Sequence, residues 1–362
     1  MLYSKEIEHL IEKIDNHLLD INTERKKSSP PTQVSSEFLT NKEQGDWAEL
    51  TLLKGINRTS EKYIAVKYGK NDTIIAGDEG FKEFYNQYQD ELDSIGKRPD
   101  LLIFKKEDFH YNTNDISELP INELDLLVPK ALCGIEVRSS AFLMNKYETF
   151  MEERNTLLAE QAFNIQHYIL ENYAALLKEK DEALYDIIHS IDENNMHAIS
   201  YRVPSWKSSV QLAELSNYLK KLKEKITSIN KRTFLSITPK VEDLKVVYNW
   251  IEKYNVPHFY VQVFFDKAYG ISYKKILSLL SKPELENKKY FIEGDIKNQN
   301  KLTIKIKAND EARILDKITL PNHHSEMREL GRGRLLFYVK FDDSLSVINK
   351  SEFNHLFGVE LE

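Results

Sequence analysis

The chain of 362 residues has a single cysteine, Cys133, so no disulfide can close within it and no four-cysteine zinc site can exist. It has no uninterrupted apolar run of about 18 residues, the length a membrane-spanning helix requires. Its start, MLYSKEIEHLIEKIDNHLL, is charged throughout and holds no apolar stretch of signal-peptide type. These absences give the expectation of a cytoplasmic protein. Positive net charge is lacking too: the balance is −7, which argues against a protein that merely coats nucleic acid. An enzyme acting on DNA is still allowed, because metal-dependent nucleases need carboxylates and a basic groove can sit inside an acidic shell. No internal repeat is visible.

The composition, 41% apolar, 30% charged and 11% aromatic, is that of a folded chain long enough for a main domain with appendages. Basic residues cluster at 218–232 and 286–307, and acidic ones at 78–93 and 115–125. Each such cluster is most simply a solvated face.

Apolar positions Ile7, Leu10, Ile11, Ile14, Leu18 and Leu19 predict an amphipathic helix over 5–20, and the aperiodic TERKKSSPPTQVSSEF (23–38) predicts a connector. Helical patterns return at 45–57, where Glu49 can be aimed at a neighbouring element, and at 81–96, which Gly96 closes. Strands are expected at 63–69, in PDLLIF (99–104), in LCGIEVRSS (132–140), at 233–240 and at 258–266. Between them lie a long helix over 141–180, broken by neither Gly nor Pro, and another over 241–255. Strands alternating with helices predict an α/β fold with a mixed sheet flanked by helices. From about 287 alternating strands take over, so the expected organisation is an N-terminal helix and linker (1–40), a core with a helical insertion (41–285) and a β-rich C-terminal appendage (286–362).

Two of these strands carry an acid each. Asp100 heads one and Glu136 lies inside the other, with Arg138 two residues further on and therefore on the same face of its strand. Two carboxylates a few ångström apart repel one another unless a divalent cation lies between them, and Mg²⁺ suits hard oxygen ligands. Such a cation lowers the pKa of a water and neutralises charge building on a phosphate, the chemistry of phosphodiester hydrolysis. Alone, a Pro-Asp pair marks a strand start and a Glu-x-Arg a surface ion pair. Order and strand context give the combination its meaning.

Pro99-Asp100 followed by Glu136-Val137-Arg138 resembles the PD-(D/E)XK nuclease superfamily, and within it the AccI-like family of type II restriction endonucleases. The resemblance implies a restriction-endonuclease-like core, catalytic roles for Asp100, Glu136, Arg138 and the helix-borne Glu49, and Mg²⁺ on Asp100 and Glu136. It also implies hydrolysis of double-stranded DNA at a short palindromic sequence in a prokaryotic cell, a homodimer to match the palindrome, and a cognate DNA methyltransferase that acts on the same site. A structure-specific repair nuclease and an inactive DNA-binding protein of the same fold are the alternatives. The motif ends in Lys in the superfamily and in Arg here. Arg stays protonated and cannot act as a base, so Arg138 is expected to act as a fixed charge on water or phosphate.

Candidate DNA contacts are Lys240, before a helix, Lys207, beside Trp206, and Arg328, Arg332 and Arg334 of RELGRGR, where two glycines accompany three guanidinium groups. Each has an ordinary reading as a surface cation. His323 and His324 lack a third ligand at metal spacing and are expected in a solvated loop.

Overall fold

The structure is a computed structural model that describes residues 2–70, 74–230, 233–295, 301–330 and 333–359. Two compact units divide the chain: Met1–Met144 with Leu235–Glu362, and Asn145–Phe234. In chain order come α1 (Tyr3–Ile11), α2 (Ser36–Thr59), β1 (Tyr63–Lys67), α3 (Phe81–Ser94), β2 (Leu101–Lys105), α4 (Ile121–Leu127) and β3 (Cys133–Ser140). The helices α5 (Met144–Lys180), α6 (Glu182–His189) and α7 (Val210–Ile229) follow. The chain then forms β4 (Ser236–Ile237), α8 (Val241–Tyr254), β5 (His258–Phe264), β6 (Lys267–Ser272), α9 (Tyr273–Leu280), β7 (Tyr290–Asp295) and β8 (Lys301–Lys307). It ends with α10 (Ala308–Glu311), β9 (Arg313–Ile318), β10 (His323–Leu330), β11 (Arg334–Phe341), β12 (Ser346–Ile348) and α11 (Lys350–Phe357).

A seven-stranded mixed sheet in the order β1-β2-β3-β5-β6-β9-β12 organises the larger unit. Only the β3–β5 pair runs parallel; β1–β2, β2–β3 and the strands beyond β5 pair antiparallel. Period two sorts the central strands into two faces. Leu101 and Ile103, Cys133, Ile135 and Val137, and Phe259, Val261 and Val263 bury one face against Trp47, Ala48, Leu52 and Ile56 of α2 and Phe353 and Phe357 of α11. The opposite face carries Gly134, Glu136 and Arg138 on β3 beside His258, Tyr260 and Gln262 on β5, in register. There α8 and α9 supply the cover: Trp250 and Tyr273 set their rings 5.9 and 6.0 Å from His258.

The smaller unit is helical. Ala162, Ile169 and Leu177 of α5 form a stripe at spacings close to two helical turns, and pack with Ile188 of α6 and Leu215, Leu219, Leu222 and Ile226 of α7. Trp206 packs against this cluster and its backbone N–H donates to Ser216 Oγ, while Lys207 beside it is exposed.

The first helix is shorter than its periodicity predicts. It stops at Ile11, and Asp15 accepts from the N–H of His17 in a turn that competes with helix, although Ile14 and Leu19 beyond it are buried. The strand expected over 233–240 is reduced to Ser236–Ile237, in a separate three-stranded sheet with β8 and β7. The C-terminal region is β-rich, as its alternation predicts, but it is no appendage: β9 and β12 complete the seven-stranded sheet, and α11 packs on its core. His323 and His324 begin β10 instead of lying in a loop, and His324 faces Glu326 and Asp342.

Candidate active site

The β2–β3 register pairs Leu101 with Ile135 and Leu102 with Gly134, so one further step sets Asp100 opposite Glu136. Asp100 Oδ2 accepts the Val137 N–H at 2.6 Å, and its backbone carbonyl accepts from the N–H groups of Tyr68 and Gly69. Glycines shape this corner. A Cβ on Gly69 would stand 3.0 Å from Asp100 Cα, and one on Gly134 would stand 2.6 Å from Pro99 Cγ. Gly96, at φ +81°, leaves no room for a side chain against Val246 O and Trp250 N. That close approach presses the chain onto α8, where the Lys97 N–H donates to Val246 O at 2.8 Å.

Glu136 is 2% exposed. Its Oε1 receives Lys97 Nζ at 2.6 Å and Arg138 Nη2 at 2.8 Å, whereas its Oε2 is buried without a hydrogen-bond partner. Asp243, in the first turn of α8, takes the same two cations on Oδ2, both at 2.9 Å. Burial alone would raise both carboxyls, but Lys97 and Arg138 outweigh it: Glu136 lies below the ordinary range and Asp243 is drawn down to about 2. Lys97 is held above its usual value, with Asp243 and Glu136 overcoming the effects of burial and of Arg138. Asp100 goes the other way. Burial, then the charges of Glu136 and Glu49, push its carboxyl well up. Glu49 itself is raised to about 7 by burial and by Asp46, with Glu136 adding to the effect.

Three acids thus repel one another at one corner of the sheet. Among the described residues no group of three or more His, Cys, Asp or Glu converges closely enough to form a metal site unaided. The donor set still fits Mg²⁺, which is commonly held by one or two carboxylates with water and substrate phosphate completing its shell. Glu136 Oε2 is a buried oxygen without a partner, and Asp100 stands across the strand pair from it.

The family model of the AccI restriction endonuclease matches residues 1–362. The chain belongs to the AccI restriction endonuclease family. Type II restriction enzymes of this kind are site-specific deoxyribonucleases, so DNA is the substrate. Neither the curated proteins nor the solved structures hold a match to the chain.

In this AccI-family enzyme the fold gathers Asp100, Glu136 and Arg138, and it brings Glu49 within electrostatic reach of Asp100. Lys240 is exposed immediately before α8, close enough to help lower Asp243, so it lies at the rim of the cluster. Arg328 is tied to Asp78 at 2.5 Å, Arg334 is exposed at the start of β11, and Lys207 belongs to the helical unit. Arg332 lies outside the described residues. Sequence reasoning missed Lys97 and Asp243. Lys97 stands in the loop before Pro99-Asp100, and Asp243 has the form of an ordinary acid in a helix's first turn.

Among the described residues no helix is long and apolar enough to cross a membrane.

Proposed function

We propose that this chain hydrolyses double-stranded DNA at a short palindromic sequence with Mg²⁺ held by Asp100 and Glu136, as a member of the PD-(D/E)XK superfamily. The observation that carries the reading is the placement of Asp100 opposite Glu136, with Glu136 Oε2 buried and unpartnered. In the hydrolysis a water oxygen bonds to phosphorus and one P–O ester bond breaks; the ester oxygen leaves with the electron pair and gains a proton as the water loses one. Bound Mg²⁺ lowers the pKa of the attacking water and offsets charge on the phosphate.

The chain's own groups do the rest. Arg138, kept charged by Glu136 and Asp243, stabilises negative charge on the phosphate. Glu49, raised to about 7, is poised to exchange a proton near neutral pH. Lys240 contacts backbone phosphate at the rim, and Lys207, Arg328, Arg332 and Arg334 contact DNA elsewhere. A homodimer supplies one cluster to each strand of the palindrome, in a prokaryotic cytoplasm where a methyltransferase of the same specificity protects the host.

Phage DNA incubated with the purified protein tests this. Discrete fragments with Mg²⁺ and none with EDTA are expected. Cleavage set by DNA shape would replace the reading with a repair nuclease, and retention without cutting would replace it with a binding protein.

A further inference from the structure

Arg138 is not the only cation on Glu136. Lys97, from outside the motif, reaches the same oxygen at 2.6 Å, and with Asp243 the four side chains close a ring of alternating charge. Buried ion pairs contribute little net stability, because desolvation offsets most of their attraction. Stability alone is therefore a weak reason to set an ammonium and a guanidinium on one buried carboxylate.

We infer that Lys97 is a second catalytic cation of the site, donating to the scissile phosphate beside Arg138, and that Asp243 is the positioning residue that holds both. The inference rests on the assignment of Asp100 and Glu136 as metal ligands. Two observations support it. An ammonium has three N–H donors; Glu136 Oε1 and Asp243 Oδ2 take two of those of Lys97, which leaves one for an incoming oxygen. The side chain is not wholly enclosed, with 16% of its surface exposed. The ring is also neutral only while the charge of Glu136 is spent on it. Once that carboxylate serves a divalent cation, two cations face the single charge of Asp243, and the surplus positive charge suits a phosphate. The approach of Gly96 to α8 fixes the Lys97 backbone, so the ammonium is aimed before substrate arrives.

The test is Lys97→Met, with Lys97→Arg and Asp100→Ala beside it, each in the full chain and checked for folding. Plasmid cleavage at saturating Mg²⁺ should fall about 10²- to 10³-fold in Lys97→Met and recover in part in Lys97→Arg. Calorimetric binding of Mg²⁺ alone to the DNA-free protein should be unchanged or tighter in Lys97→Met, because a cation competing for Glu136 is gone. A purely structural lysine predicts weaker Mg²⁺ binding instead. Lys97→Met cutting within about threefold of wild type, or losing Mg²⁺ binding together with cleavage, overturns the inference. Should Lys97→Met not fold, Lys97→Gln carries the same expectations. If Asp100→Ala also cuts, the metal assignment has failed and the inference goes with it; if Asp100→Ala is inactive while Lys97→Met cuts, the inference alone has failed.

Discussion

Through one nitrogen, Nη2, Arg138 donates to Asp243 and pairs in charge with Glu136, and its Nε is buried without a partner. It is a fixed charge whose place is set by two anions. Arg138→Ala should therefore lower the cleavage rate by about 10² to 10³, the usual loss when one preorganised donor at a developing charge is removed. Arg138→Lys should retain part of the activity, because a cation stays within reach of the same oxygens while the planar fork is lost. Single-turnover cleavage rates decide it: Arg138→Ala cutting near wild-type speed would move the essential cation elsewhere. That Glu136 and Arg138 share a face is legible in the sequence because strand periodicity is local: two residues along β3 return to the same face. Lys97 and Asp243 are not legible. A lysine in a loop and an aspartate opening a helix have ordinary solvent roles, and only the close approach of Gly96 to α8 turns them toward Glu136.

Elements were legible where burial imposes one pattern. The strands at Asp100 and Glu136, β5, and the helices over 81–94 and 241–254 follow from apolar runs and periodicity. Partnership between distant elements does not: the alternation of β9 and β12 marks them as strands but is silent on which sheet they complete. Their junction holds a buried acid. Asp316 of β9 is 1% exposed, Ser346 of β12 donates to its Oδ2 at 2.6 Å, and burial pushes its carboxyl up to about 6. The folded value exceeds the unfolded one of about 3.9. Between those values the folded state keeps a proton that the unfolded state has lost. The stabilising effect of that proton is full below about pH 4 and is lost as pH rises through 6, a change on the order of 2–3 kcal/mol. Asp316→Asn carries no charge at either pH and retains a partner for Ser346. Its urea midpoint should exceed that of wild type at pH 7.5 by more than it does at pH 4.5. An equal difference at the two pH values would contradict a buried, charge-averse Asp316.

Over the whole molecule, an acidic chain with a net charge of −7 must receive a polyanion, and under the proposed assignment the cluster would reconcile the two. Glu136 and Asp243 are each matched by cations, while Asp100 is held up by burial, Glu136 and Glu49, and Glu49 by burial, Asp46 and Glu136, so under the proposed site assignment little negative charge would face the DNA before a divalent cation enters. In the function proposed above, Asp100 and Glu136 supply the metal site of a specific DNA-cutting enzyme. The most direct test of that assignment compares wild type with Asp100→Ala on phage DNA in Mg²⁺, scoring cleavage and gel retardation on the same samples. Discrete fragments are expected from the wild type and none from the variant, which should still retard the DNA at equal or lower protein concentration because a carboxylate near phosphate has been removed. Cleavage by folded Asp100→Ala at the wild-type rate, or loss of DNA binding together with cleavage, would contradict it.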